Sequence, residues 1–135
     1  MRLIVDTNRI IAALIKDSVS KRIITHINKE LLTIDFTERE IKKYETLILK
    51  KAKINSAELK MIFEKLKEKL IILDDKIILT KMEEAKEIMD NIDPDDTPFI
   101  AAALATKADI WSDDKHFDKQ NKVKVWKTKD LMKFV

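Results

Sequence analysis

A single-domain α/β fold, with a parallel β-sheet covered by helices on both faces, is predicted for this 135-residue chain by three observations. Short apolar runs alternate with longer stretches of helical i, i+3, i+4 spacing, the order that produces strand–helix–strand crossovers. Several apolar runs stop at an acidic or hydroxyl residue. A mass of 15.8 kDa suits one domain over residues 1–135, and no linker, repeat or low-complexity tract divides it.

LIV (3–5) is a strand broken by Asp6, and NRIIAALIK (8–16) follows at helical spacing with Asn8 as its cap. KRIITHINKE (21–30) is an amphipathic helix with Ile23, Ile24 and Ile27 on one face. LLTIDF (31–36) is a second strand, after which Thr37 opens the next helix. Ile41, Tyr44 and Ile48, then Leu59, Ile62, Phe63 and Leu66, spell a lysine-rich hairpin of two helices that part near residues 54–56. IIL (71–73) and IIL (77–79) flank DDK and place at least one short strand there. TKMEEAKEIM (80–89) opens a helix on a Thr80-x-x-Glu83 capping box. PFIAAALATKA (98–108) is nearly uncharged and is expected to be the most buried helix. DIWS (109–112) is a strand ending at Asp113 and Asp114, and VKVW (123–126) is the last strand, before a terminal helix from Thr128.

Composition removes whole classes of chemistry. With no cysteine, disulfides, thiolate nucleophiles and cysteine zinc sites are excluded, and His26 and His116 stand too far apart in sequence for a histidine-rich cage. With no glycine, the P-loop, the dinucleotide fingerprint and the EF-hand loop are excluded, because each needs glycine for a turn or a close backbone approach. Carboxylates, hydroxyls and lysines remain, a donor set suited to hard cations such as Mg²⁺ or Mn²⁺. The opening MRLIVDTN is no signal-peptide core, and no stretch approaches the roughly 20 apolar residues of a membrane span. A cytoplasmic protein without membrane association is expected.

The net charge of +3 hides an asymmetry. Residues 42–69 hold nine Lys against four Glu, whereas residues 83–96 hold seven acids against one Lys. Most of these charges read as solvated helix faces, with a polyanionic partner left open for the basic stretch.

Parallel α/β sheets bind ligands beyond the carboxyl ends of their strands. Those junctions carry Asp6, Glu40 one turn into the helix after the second strand, Asp96 at the head of the alanine-rich helix, and Asp113 with Asp114. Each has a bland explanation: Asn8 and Asp96 as N-caps, Pro98 in a first turn, and TERE (37–40) as a capping box. Singly, the cap outweighs the catalytic reading. Together, unpaired carboxylates at one end of a sheet raise one another's pKa or destabilise the fold, and a divalent cation resolves that conflict.

In order and spacing, VDTN (5–8), TEREIKKY (37–44), DPDDTPFIAAAL (93–104) and WSDDKHF (111–117) resemble a PIN-domain nuclease of the PilT N-terminus-like, VapC type, across essentially the whole chain. The resemblance implies a PIN-like fold and Mg²⁺- or Mn²⁺-dependent hydrolysis of phosphodiesters, usually single-stranded RNA, leaving a 5′-phosphate and a 3′-hydroxyl. It makes Asp6, Glu40, Asp96 and Asp114 the metal-site and catalytic acids, with Ser112 and Asn8 supporting them and Asp113 matched less securely. IKKYE after Glu40 fits the family's pattern better than Glu38 would, and Asp93 and Asp95 are expected to be water-exposed neighbours. Lys42, Lys43, Lys50 and Lys51 are candidates for backbone phosphates and Tyr44 for base stacking, whereas neither histidine enters the expected site. An antitoxin partner and a homodimer, formed through the apolar face of the helical hairpin, are further family expectations.

Two other classes compete. A receiver-like phosphoacceptor shares the size, the parallel sheet and Mg²⁺, but wants two adjacent acids after the first strand, where this chain has Asp6, Thr7 and Asn8. A non-catalytic RNA or protein interaction module would keep the fold and use its acids as caps.

Overall fold

Leu3 and Val5 point to one side of the first strand and Ile4 to the other, and all three are fully buried, as a central strand of a three-layer fold requires. The computed structural model describes residues 1–15 and 18–135. The end of the NRIIAALIK helix expected at Lys16 lies outside the described residues.

Five strands, β1 (Arg2–Val5), β2 (Glu30–Ile34), β3 (Leu70–Leu73), β4 (Asp109–Trp111) and β5 (Val125–Trp126), form one parallel sheet in the order β3-β2-β1-β4-β5. One face is covered by α1 (Thr7–Ile15), α2 (Ser18–His26), α3 (Asp35–Lys43), α4 (Glu45–Ala52), α5 (Ser56–Lys67) and α9 (Thr128–Leu131), through Ile10, Ile23, Ile41, Ile48, Leu59 and Leu131. The other is covered by α6 (Asp75–Leu79), α7 (Met82–Met89) and α8 (Thr97–Thr106), through Ile78, Met89 and Ile100. The predicted α/β architecture is therefore present. As expected, α8 is deeply buried, with Phe99 through Ala103 almost inaccessible.

Boundaries differ from the sequence expectations in ways that matter for the site. Thr7 already lies in α1, so Asn8 is an exposed helical residue and not its cap. β2 ends at Ile34 and α3 starts at Asp35, so Thr37 is inside the first turn and the expected TERE capping box does not form. The hairpin contains three helices, because the chain bends at Tyr44 between α3 and α4. Thr80 ends α6, donating to the Ile77 carbonyl at 2.6 Å, and no side-chain cap precedes α7. Without glycine, the left-handed residues that close α4 and α8 are lysines, Lys53 (φ 57°) and Lys107 (φ 55°). Among the described residues no helix is long and apolar enough to cross a membrane.

β1 is flanked by β2 on one side and β4 on the other, so the chain's crossovers run in opposite directions from it. In open α/β sheets such a reversal opens a crevice at the carboxyl ends of the two strands. The Asp6 amide donates to the Trp111 carbonyl at 3.1 Å, which carries the β1–β4 pairing one residue beyond the strand and fixes where the crevice begins.

Candidate metal centre

Asp6 is the last residue before α1, and its backbone carbonyl accepts from the Arg9 amide at 2.9 Å, while its carboxylate accepts from the Asn8 amide. Asp6 is thus the helix cap, and Asn8 contributes to the site through its main chain. The Ser112 hydroxyl donates to Asp6 Oδ2 at 2.7 Å and accepts from the Asp114 amide at 3.0 Å. Fully buried, this one hydroxyl ties the ends of β1 and β4 together and sets the direction of the Asp6 carboxylate.

Glu40 is held from the other side of β1. Its Oε1 accepts from the Thr7 hydroxyl at 3.0 Å, and Thr7 meets Thr37 at 3.0 Å. Because Thr7 gives its only hydroxyl proton to Glu40, Thr37 must donate to Thr7, and Thr33 in turn donates to Thr37 at 3.2 Å. Three buried hydroxyls in series, from β2, α3 and α1, therefore aim one carboxylate. Glu38 is directed elsewhere, to Lys67 at 3.0 Å, so Glu40 is the acid that α3 turns toward Thr7 beside Asp6.

Asp96 stands at the N-cap position of α8, but its carboxylate caps nothing. Asp93 takes the local capping role instead, accepting from the Asp95 amide at 3.0 Å as the chain enters a 3₁₀ turn over Pro94–Asp96. Asp96 Oδ2 is buried with no hydrogen-bond partner. Burial, reinforced by the charges of Asp93, Asp114, Asp6 and Asp95, pushes the Asp96 carboxyl up to about 7. Burial likewise raises Asp6, against the bonds from Ser112 and Asn8, with Asp114 adding repulsion.

Asp113 and His116 depart from their expected places. Asp113 accepts from the Thr128 amide at 2.8 Å and the Thr128 hydroxyl at 2.6 Å and pairs with Arg9 at 3.0 Å, so it fastens the start of α9 to α1 and does not join the acids. Partial burial pushes its carboxyl up, but the Thr128 bonds together with Arg9 and Lys127 outweigh that and hold it below the usual range. Asp114 accepts from the His116 amide at 2.9 Å, and this turn brings the imidazole over the acids. His116 Nδ1 stands 3.1 Å from Asp93 Oδ2, 3.2 Å from Asp114 Oδ1 and 3.7 Å from Asp96 Oδ2. Asp93, expected as a water-exposed neighbour, and His116, left out of the expected site, thus come together with Asp96, and the three offer donor atoms that all lie within 4.8 Å of one another. Asp95 is exposed, as expected.

The lysines behave as surface groups. Lys42, Lys43, Lys50 and Lys51 are exposed at the C-terminal ends of α3 and α4, and Lys43 Nζ stands 5.5 Å over the ring of Tyr44, which is 42% exposed.

A divalent cation fits this donor set. Buried carboxylates that repel one another, one of them with a buried and unpartnered oxygen, are what hard oxygen-ligated ions neutralise. Deleting the charge by protonation is the alternative, and Asp96 near 7 stands midway between the two.

The sequence model of the PIN-domain family matches residues 4–133. Among solved structures, a chain of VapBC2 from Rickettsia felis, crystallised bound to a DNA fragment from the VapBC2 promoter, superimposes with a TM-score of 0.70 over 94% of this chain and 98% of that one. The two are 14% identical, a likeness of fold. No curated protein matches the sequence.

Proposed function

Since this chain belongs to the PIN-domain family, we propose that it is a metal-dependent endoribonuclease that hydrolyses single-stranded RNA through Asp6, Glu40, Asp96 and Asp114 with Mg²⁺ or Mn²⁺. The observation that carries the proposal is Asp96 Oδ2, buried without a hydrogen bond, where burial together with the charges of the neighbouring acids pushes the carboxyl up to about 7. Such an arrangement costs stability in a metal-free fold and is explained by a cation that the acids share.

When bound, the ion would lower the pKa of a water and offset the charge that develops on the leaving oxygen. The chain's own residues supply the rest. Ser112 fixes Asp6 Oδ2, and the Thr33–Thr37–Thr7 series fixes Glu40 Oε1, so two ligating carboxylates are oriented before any ligand arrives. One carboxylate accepts the proton of the attacking water. The water oxygen joins phosphorus, the bond from phosphorus to the 3′ oxygen breaks, and the leaving 3′ oxygen takes a proton from solvent water, so that a 5′-phosphate and a 3′-hydroxyl result. Lys42, Lys43, Lys50 and Lys51 contact the RNA backbone without reading bases, and Tyr44 offers a stacking face.

A toxin role in a toxin–antitoxin pair is supported by the shared fold with a VapBC2 chain, with an antitoxin segment covering the acids. Leu47 on α4 and Met61 on α5, 49% and 72% exposed, supply an apolar face of the hairpin for a homodimer. The sheet order argues against the phosphoacceptor alternative, since flavodoxin-like receivers run 2-1-3-4-5 and this sheet runs 3-2-1-4-5.

The test is cleavage of single-stranded RNA with Mn²⁺ or Mg²⁺, beside folded Asp6→Asn and Asp96→Asn proteins. Metal-dependent cleavage by the wild type, lost in both variants, is expected. Metal-independent cleavage, or full activity in both variants, overturns the proposal.

A further inference from the structure

We propose that His116, with Asp93 and Asp96, forms a nitrogen-containing metal position at the rim of the four-acid site, one that selects a first-row transition ion such as Mn²⁺ over Mg²⁺. The inference rests on the metal-nuclease reading for its context and for Asp96, whereas Asp93 and His116 lie outside the four acids.

Geometry carries the argument. Adjacent ligands on an octahedral ion with bonds near 2.1 Å stand about 3 Å apart. His116 Nδ1 lies 3.1 Å from Asp93 Oδ2 and 3.2 Å from Asp114 Oδ1, with Asp96 Oδ2 at 3.7 Å, so the nitrogen already has the spacing of a neighbouring ligand.

A second, independent observation is that both Nδ1 of His116 and Oδ2 of Asp96 are buried and make no hydrogen bond. An imidazolium serving as counter-ion would aim its N–H along one acceptor. Here the nitrogen sits among three carboxylates and is aligned with none of them. Both loops that carry these donors are fixed by their own turns, Asp93 by the Asp95 amide and His116 by its amide on Asp114, so the position does not have to be assembled when the ion arrives. The side chain is 43% exposed although Nδ1 is buried, so the ring stands at the edge of the acids with its solvent-facing part away from Nδ1.

Chemistry then sets the preference. Carboxylates alone suit Mg²⁺ and Mn²⁺ alike, whereas an imidazole ligand favours ions further along the first transition row. One such ligand should shift the Mn²⁺ to Mg²⁺ affinity ratio by about tenfold.

The experiment is Mn²⁺ binding to the full chain, stripped with a chelator, followed by electron paramagnetic resonance with detection of ¹⁴N modulation. Expected is a nitrogen signal that is replaced by the ¹⁵N pattern when the protein is grown on ¹⁵N-histidine. Because the chain has only His26 and His116, loss of the signal in His116→Asn but not in His26→Asn assigns it. In His116→Asn the Mn²⁺ affinity should fall about tenfold while Mg²⁺ affinity holds. Mn²⁺ bound without nitrogen modulation, or an unchanged ratio in His116→Asn, overturns the inference, as does a wild type that binds no Mn²⁺. RNA cleavage is scored separately. Cleavage without a nitrogen signal sinks this inference alone, and a nitrogen signal without cleavage upholds it while sinking the nuclease reading. Should His116→Asn fail to fold, a nitrogen signal kept in His26→Asn upholds the assignment and its loss there overturns it.

Discussion

On one side of the β4 end, Asp113 accepts two bonds from Thr128 and an ion pair from Arg9, and its carboxyl is held below the usual range. On the other side, its neighbour Asp114 faces Asp6 and Asp96, whose carboxyls are pushed above it. One residue type, adjacent in the chain, is thus used both to close a fold and to hold it open electrostatically. What separates the two regions is the supply of positive partners. Arg9 pairs directly with Asp113 and acts on Asp6 only as the last of the influences on it, while the acid cluster relies on hydroxyls, amides and an imidazole, which orient charge without neutralising all of it.

The largest effect is expected from removing charge on the open side. Asp6→Asn or Asp96→Asn should lower RNA cleavage at least about 100-fold, since even partners of metal ligands are worth 10–100-fold. In the metal-free protein Asp96→Asn should leave thermal stability equal or raised, because repulsion is relieved. A marked fall in Tm for that variant would show that the Asp96 carboxylate is structural after all.

Next in size is the closed side. Asp113→Ala removes the bonds that start α9 and should cost about 1 kcal/mol, as the removal of a cap does, with cleavage kept within about threefold. Equal loss of activity in Asp113→Ala and Asp6→Asn would erase the distinction between the two regions.

Titration separates the two sides further, because they respond to pH with opposite sign. Asp96 binds its proton more tightly when folded, with a pKa of about 7 against 3.8, so the metal-free protein should lose stability as pH rises from about 4 to 7, and Asp6 adds to the same slope. Asp113 is lowered, so its contribution is present above 3.8 and is lost as pH falls through its folded value. Melting curves with and without Mn²⁺ test this: the ion should abolish the loss toward pH 7, and a metal-free Tm that climbs steadily to pH 7 would contradict it.

The smallest effect is expected from the basic stretch. Replacing Lys42 and Lys43 by Gln should weaken RNA binding modestly and flatten its salt dependence by about one unit for each phosphate interaction removed. No change in the slope would remove these lysines from the interface.

Much of this is legible in the sequence because the fold depends on local pattern. LIV, LLTI and DIW are strands, and the uncharged run after Pro98 is the buried helix, since apolar runs of those lengths have few alternatives in a parallel sheet. The TERE capping box fails for a tertiary reason. Thr37 has the right spacing to Glu40, but its hydroxyl is buried and committed to Thr7 and Thr33, which lie on other elements. The place of His116 beside Asp93 escapes a reading of the sequence, because the two residues meet only through the fold. A signal does exist in the repeated geometry of D-P-D and D-K-H, in which Asp93 and Asp114 each accept the amide two residues on and so fold the chain back over the acids.

The two left-handed lysines have a consequence of a different kind. Lys53 and Lys107 close α4 and α8 in a conformation that a side chain disfavours by roughly 1–2 kcal/mol, a cost only partly offset by the looser unfolded chain that glycine would bring. Neither residue belongs to the acid site or the clasp. Glycine at either position should therefore raise Tm by a few degrees without touching the chemistry, giving the protein a margin against which destabilising changes elsewhere could accumulate.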